Sequence, residues 1–112
     1  MNIQLRLAAL AIFTFPFTAL AVLPVNVIQK GKIFSVETIT LTPGQVVRFE
    51  NQDSFPHQIN VSGPGKAFDS DLQDAGQFID VSFPLDGRFN VQCGIHPRMR
   101  MTVSVEAGRE RN

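Results

Sequence analysis

The sequence predicts a small all-β domain, either two packed sheets or a small barrel, and three observations carry that expectation. No stretch beyond residue 22 sustains the apolar period of about 3.6 residues that a helix needs. Short runs rich in Val, Ile, Thr and Phe alternate instead with polar residues at a period of about two. Turn formers such as "TPG", "SGPGK" and "PLDG" separate these runs, leaving roughly six to eight strands in one domain.

Val25 to Gln29 opens the series, with Val25, Val27 and Gln29 on one face, and Gly31 ends it. Residues 33 to 41, "IFSVETITL", read as one second strand before the Thr42-Pro43-Gly44 turn. "QVVRFE", Gln45 to Glu50, sets Val47 and Phe49 together. A polar corner, "NQDS", leads to a strand over 55 to 61, "FPHQINV", and "SGPGK" follows as a loop. Residues 68 to 76 are polar and read as irregular, with room for a helical turn near Ser70 to Gln73. "QFIDVSF", 77 to 83, places Ile79, Val81 and Phe83 opposite Phe78, Asp80 and Ser82. "RFNVQC", 88 to 93, groups Phe89, Val91 and Cys93, and "RMTVSVE", 100 to 106, groups Met101, Val103 and Val105. Phe49, Phe89 and Met101 are expected in the core, and the tail from 107 is expected to fray.

The first residues set the compartment. Arg6 precedes an apolar run from Leu7 to Ala21 that closes on Ala19-Leu20-Ala21, the pattern of a secretory signal peptide cut after Ala21. The run of about 15 residues contains Pro16 and falls short of the roughly 20 needed to span a bilayer. Residues 22 to 112 then form a single exported domain, periplasmic in this reading. Without Arg6 that domain carries nine Lys or Arg against ten Asp or Glu, a net charge of −1 with no basic stripe for nucleic acid. The ten Phe, with no Trp or Tyr, supply core area rather than a stacking platform for bases or sugars.

One cysteine in an exported chain has no internal disulfide partner and must be buried, ligated or used. Cys93 lies in "QCGIHPRM", spaced Cys93-x-x-His96-x-x-Met99, and His57 is the only other histidine. Neighbouring strands would bring His57 and Cys93 to one end of the domain, with His96 and Met99 returning from the loop. Two imidazoles, a thiolate and a thioether make a soft, low-coordinate set suited to one copper ion alternating between Cu(I) and Cu(II). A trigonal His₂Cys set with a distant axial Met is the arrangement of blue-copper electron transfer. Zinc on His57, Cys93 and His96 would need a fourth ligand, and no acid stands beside the segment. A Cys–His nucleophile would need an orienting third group, and none is in view.

"TLTPGQVVRFENQDSFPHQINV" followed by "GQFIDVSFPLDGRFNVQCGIHPRMRMTVSV" resembles the cupredoxins, the plastocyanin-like small blue copper proteins, and most the short-loop amicyanin type. The resemblance covers roughly residues 33 to 106. It implies a Greek-key β-sandwich of about eight short strands. It also implies that His57, Cys93, His96 and axial Met99 are the metal ligands. The implied function is one-electron transfer between redox proteins, soluble or membrane-attached, by a monomer with no enzymatic activity and no small-molecule substrate. A copper-binding or delivery protein using the same ligands is the alternative. Asn usually follows the first ligand histidine in this family, and Ser or Thr follows the cysteine, joining the two ligand loops by hydrogen bonds. Here those positions are Gln58 and Gly94, so the loops are expected to lack that brace. His96 is expected to be the least buried ligand, collared by Ile95 and Pro97, with Arg98 and Arg100 steering an acidic-rimmed partner toward it.

Overall fold

The computed structural model describes residues 3–4, 6–16 and 23–108. Among the described residues nine strands form two sheets: β1 Val25–Lys30, β2 Ile33–Phe34, β3 Thr38–Leu41, β4 Gln45–Asn51, β5 Asn60–Gly63, β6 Lys66–Asp69, β7 Phe78–Phe83, β8 Gly87–Cys93 and β9 His96–Val105. One sheet runs β2-β1-β4-β7 and the other β3-β9-β8-β5-β6. β1 pairs with β4, and β3 with β9, in parallel, while the remaining ladders are antiparallel. This is the all-β sandwich of Greek-key type that the sequence leads one to expect, with nine strands in place of about eight.

Alternation selects the inward faces. Val27 and Gln29 of β1, Val47, Phe49 and Asn51 of β4, and Val81 and Phe83 of β7 face the second sheet. That sheet answers with Val61, Phe89, Val91, Cys93, Met99, Met101, Val103 and Val105. Phe83 and Phe89 join the layers edge to face, centroids 5.4 Å apart at 67°. Such a pair contributes about 0.5–1.5 kcal/mol beyond the area it buries.

Four expectations need correction. Residues 33 to 41 are two strands in different sheets rather than one strand. The break at Ser35–Glu37 is fixed by Ser35, whose amide donates to Ile28 O at 2.8 Å while its hydroxyl accepts from Ile28 N at 2.9 Å. Inward parity switches across it, from Phe34 in β2 to Leu41 in β3. Residues 55 to 59 are not a strand, because their backbone groups bond to the 70–73 segment and to Cys93 instead of a ladder. "SGPGK" is the tight end of a β5–β6 hairpin, and no helical turn forms at Ser70 to Gln73. The tail beyond Gly108 and the signal-cleavage point at Ala21 lie outside the described residues. Among the described residues no helix is long and apolar enough to cross a membrane.

Candidate metal centre

Cys93 closes β8 in phase with buried Phe89 and Val91, so its thiol points into the end of the sandwich. Two residues, Gly94 and Ile95, connect it to His96, which opens β9 and pairs back with Cys93. The preceding pair in the ladder is Gln92 with Arg100. Pro97, Arg98 and Met99 therefore have no counterparts on β8. Bulges of this kind redirect side chains at sheet ends, and this one folds His96 back over the thiol, with Nδ1 3.5 Å from Sγ. Met99 falls in phase with Met101, Val103 and Val105 and is 1% exposed, at the inner wall of the surface hollow that holds His96.

His57 arrives from the other side, between β4 and β5, and is wholly buried. Its amide donates to Gln73 O at 3.0 Å and its carbonyl accepts from Gln73 N at 2.7 Å. Gln73 is itself fixed, donating through Nε2 to Phe49 O and Gln77 O and accepting from Gln29 Nε2. Asn51 closes the corner by donating to Phe55 O and Gln73 O. With its backbone held this way, the His57 ring sets Nδ1 at 3.8 Å from Cys93 Sγ and 3.2 Å from His96 Nδ1.

The far nitrogen of His57 is also used. Nε2 lies 2.7 Å from Asp53 Oδ2, and the Asp53 carboxylate also accepts the amides of Gly31 at 2.7 Å and Lys32 at 3.2 Å. Those amides converge because Gly31 and Lys32 both take positive φ, 66° and 59°, in the tight β1–β2 turn. An acceptor on Nε2 keeps the proton there and leaves the Nδ1 lone pair facing Cys93 and His96. Burial pushes the Asp53 carboxyl upward, but the Gly31 amide, His57 and the Lys32 amide outweigh it and hold the group below the usual carboxylate range. His96 is held below the ordinary histidine range by burial first, then by His57 and Lys32, against a smaller opposing pull from Asp53. Phe55 packs edge-on against both rings, at 5.3 Å from His57 and 5.6 Å from His96.

No protein-family model and no curated protein sequence matches the chain. Solved structures do. A copper-containing nitrite reductase from Thermus scotoductus superposes with a TM-score of 0.74 at 26% identity, over 87% of this chain and 25% of that one. A purple cupredoxin from Nitrosopumilus maritimus gives 0.66 at 24% identity, over 73% of this chain and 99% of its own. The chain has a cupredoxin fold. A reduced amicyanin variant gives 0.69 at 22% identity, covering 74% and 82% of the two chains. The chain thus spans about a quarter of the nitrite reductase's length and nearly all of the purple cupredoxin's.

On this cupredoxin fold the three strong donors form one metal-ligating cluster, the ligand atoms all within 4.8 Å of one another. Their spacing fits a first-row ion. Bonds of about 2.0–2.1 Å to nitrogen and about 2.3 Å to sulfur, at trigonal or tetrahedral angles, require edges of roughly 3.3–3.6 Å and roughly 3.5–3.8 Å. The observed separations are 3.2 Å between nitrogens and 3.5 and 3.8 Å from nitrogen to sulfur. The Gln58 amide donates to Cys93 Sγ at 3.3 Å, which fixes where the sulfur stands. Asp53 is the acid nearest the cluster in these contacts, and it faces the outer side of His57. His57, Cys93 and His96 are therefore brought together as the sequence suggests, with His96 the least buried of the three. Asp53, Phe55 and Gln73 escaped the sequence reading. The first leaves one signal, an acid four residues before His57.

Proposed function

We propose that this cupredoxin carries single electrons through one copper ion held by His57, Cys93 and His96, with Met99 as a weak axial donor. The observation that carries the reading is the convergence of two imidazole nitrogens and a buried thiol at metal-ligand spacing. Bound there, copper supplies a one-electron couple between Cu(I) and Cu(II). The protein's part is to hold the donors still. The Gln73 bridge fixes the His57 backbone, Asp53 fixes its tautomer, and the Gln58 amide holds Cys93 Sγ in place. A site that does not rearrange between oxidation states exchanges electrons with a low barrier.

His96 is the route in and out. It lies between exposed Ile95, 45% accessible, and Pro97, in a hollow also lined by Lys32, Arg98 and Met99. Arg100 is exposed beside it on β9. A redox protein with an apolar centre and an acidic rim fits that surface, and no substrate is turned over. Complete burial of His57 and Cys93 favours a carrier over a delivery protein, which must release its metal through ligand exchange. Export to the periplasm belongs to the same reading. Its support is the Arg6-led apolar leader, whose Leu7, Leu10, Phe13 and Phe15 are all exposed, and a lone cysteine engaged as a ligand.

Titration with Cu(II) followed by voltammetry tests the proposal. One equivalent should bind and show a reversible one-electron wave. A copper adduct that gives no reversible wave and passes its ion quickly to a chelator would favour delivery instead.

A further inference from the structure

Gly94 directly follows the ligand cysteine and Gln58 directly follows the buried ligand histidine. A hydrogen-bonding pair at these positions would join the two ligand loops, and a glycine cannot supply it. The structure shows what stands there instead. A Cβ placed on Gly94 would overlap Gln58 Oε1, and would sit 3.1 Å from Gln58 Cδ and 2.9 Å from Asn60 Nδ2. Gly94 is not among the residues of positive φ, so its backbone is open to any L residue. Space, not conformation, favours glycine here, and it does so as long as the ends of the Gln58 and Asn60 side chains keep their places.

The Gln58 carboxamide that fills the space is anchored. Its Nε2 donates to Ser70 O at 2.8 Å. Ser70 is bound in turn to Ile59, its amide donating to Ile59 O and its hydroxyl accepting from Ile59 N, both at 2.9 Å. Three residues further on, Gln73 holds the His57 backbone. The 70–73 segment thus grips the chain on both sides of Gln58, whose own amide points at Cys93 Sγ.

We propose that Gln58 and Gly94 are a size-matched pair that braces the metal centre. The long carboxamide, tied to Ser70, lies across the bare Cα of Gly94 and fixes the exit of the Cys93 loop by contact. Gln58 is a positioning residue: it acts on the metal through Cys93 and through the seat of His57. This inference rests on the copper reading for its spectroscopic and copper-affinity arms only.

The test is a cycle of Gln58→Asn, Gly94→Ser and the double variant, with Gln58→Ala as a probe that introduces no clash. Gly94→Ser alone should collide with Gln58, altering the Cu(II) charge-transfer spectrum and lowering the melting temperature of the metal-free protein. Gln58→Ala and Gln58→Asn should fold, yet lose roughly 10- to 100-fold in copper affinity, as is usual when a ligand's supporting contact is removed. In metal-free protein both should expose Cys93 to faster reaction with a disulfide reagent. The double variant, with the shorter amide making room for the hydroxyl, should recover spectrum and melting beyond the sum of the single changes. Additive effects, or a Gly94→Ser protein with wild-type spectrum, melting and thiol reactivity, would overturn the pairing. If Gly94→Ser does not fold, wild-type affinity and thiol reactivity in Gln58→Ala would overturn it equally. If even the wild-type chain gives no copper spectrum, the copper reading fails, and the metal-free melting and thiol rates still decide the brace.

Discussion

Asp53→Asn separates the electrostatic support of His57 from its packing. Three N–H groups converge on the Asp53 carboxylate: His57 Nε2, Gly31 N and Lys32 N. A carboxylate accepts all three, whereas asparagine offers one oxygen and turns an amide NH₂ toward at least one donor. The side chain is 9% exposed, so water replaces little of what is lost. Hydrogen bonds to a charged group contribute about 1.5–3 kcal/mol each. Loss of one predicts a destabilisation of about 2 kcal/mol in the metal-free protein, a fall in melting temperature on the order of 10 °C. The metal should register the same change. A carboxylate on the outer nitrogen makes the imidazole a stronger donor, which favours the more highly charged Cu(II). If the ratio of Cu(II) to Cu(I) affinities falls about tenfold, the reduction potential rises by about 59 mV. Calorimetry of the metal-free variant and voltammetry of the loaded one supply both numbers. An unchanged melting temperature together with an unchanged potential would refute the assignment of Asp53 as the orienting partner of His57.

Other outcomes follow from the same geometry. The unfolded chain protonates His96 near pH 6.5, while the folded metal-free protein resists that proton to lower pH. The unfolded state therefore binds more protons, so stability is complete above about pH 6.5 and falls as the pH drops below it, with the depressed Asp53 adding to the loss below about pH 4. Denaturant melts of metal-free protein that are flat between pH 7 and pH 5 would contradict this. Met99→Leu conserves core volume and should cost less than about 1.5 kcal/mol. It should nevertheless raise the potential if Met99 is the axial donor proposed for it, and a potential that does not move would take Met99 off the metal. Neutralising Lys32, Arg98 and Arg100 together should slow oxidation of the reduced protein by hexacyanoferrate, an anionic one-electron reagent, at least about tenfold at low salt. A rate that neither falls nor loses its salt dependence would show that the basic rim does not steer anionic partners.

Strands that pack one face against the core were legible because alternation is a local signal. Phe78 to Phe83 and Phe89 to Cys93 follow it closely, and the stripe through Met101, Val103 and Val105 extends back to Met99. Residues 33 to 41 misled because a change of sheet leaves composition intact and alters only hydrogen-bond partners, here Ser35 with Ile28. "FPHQINV" has strand composition, but its backbone is used to seat His57 against Gln73 and Gln58 against Cys93. The ligand triad was readable because metal chemistry restricts residue type, and the chain offers few such residues. Its supports were not. Gln73 looks like one more polar residue of an exposed loop, yet it is 1% exposed and takes part in six hydrogen bonds on which the site depends. Asp53 reads as a turn former until the Gly31–Lys32 turn is folded against it from 22 residues upstream. The apparent loss of bracing at Gly94 is a matter of shape: the missing side chain is room for Gln58.

The central claim is that Cys93, between two imidazoles, is a thiolate ligand of copper. The most direct measurement is the visible absorption spectrum of the domain after addition of one equivalent of Cu(II), recorded beside Cys93→Ser. An intense sulfur-to-copper charge-transfer band that disappears in the serine variant is the predicted result. A wild-type protein that binds Cu(II) without such a band, or a band that survives Cys93→Ser, would contradict it.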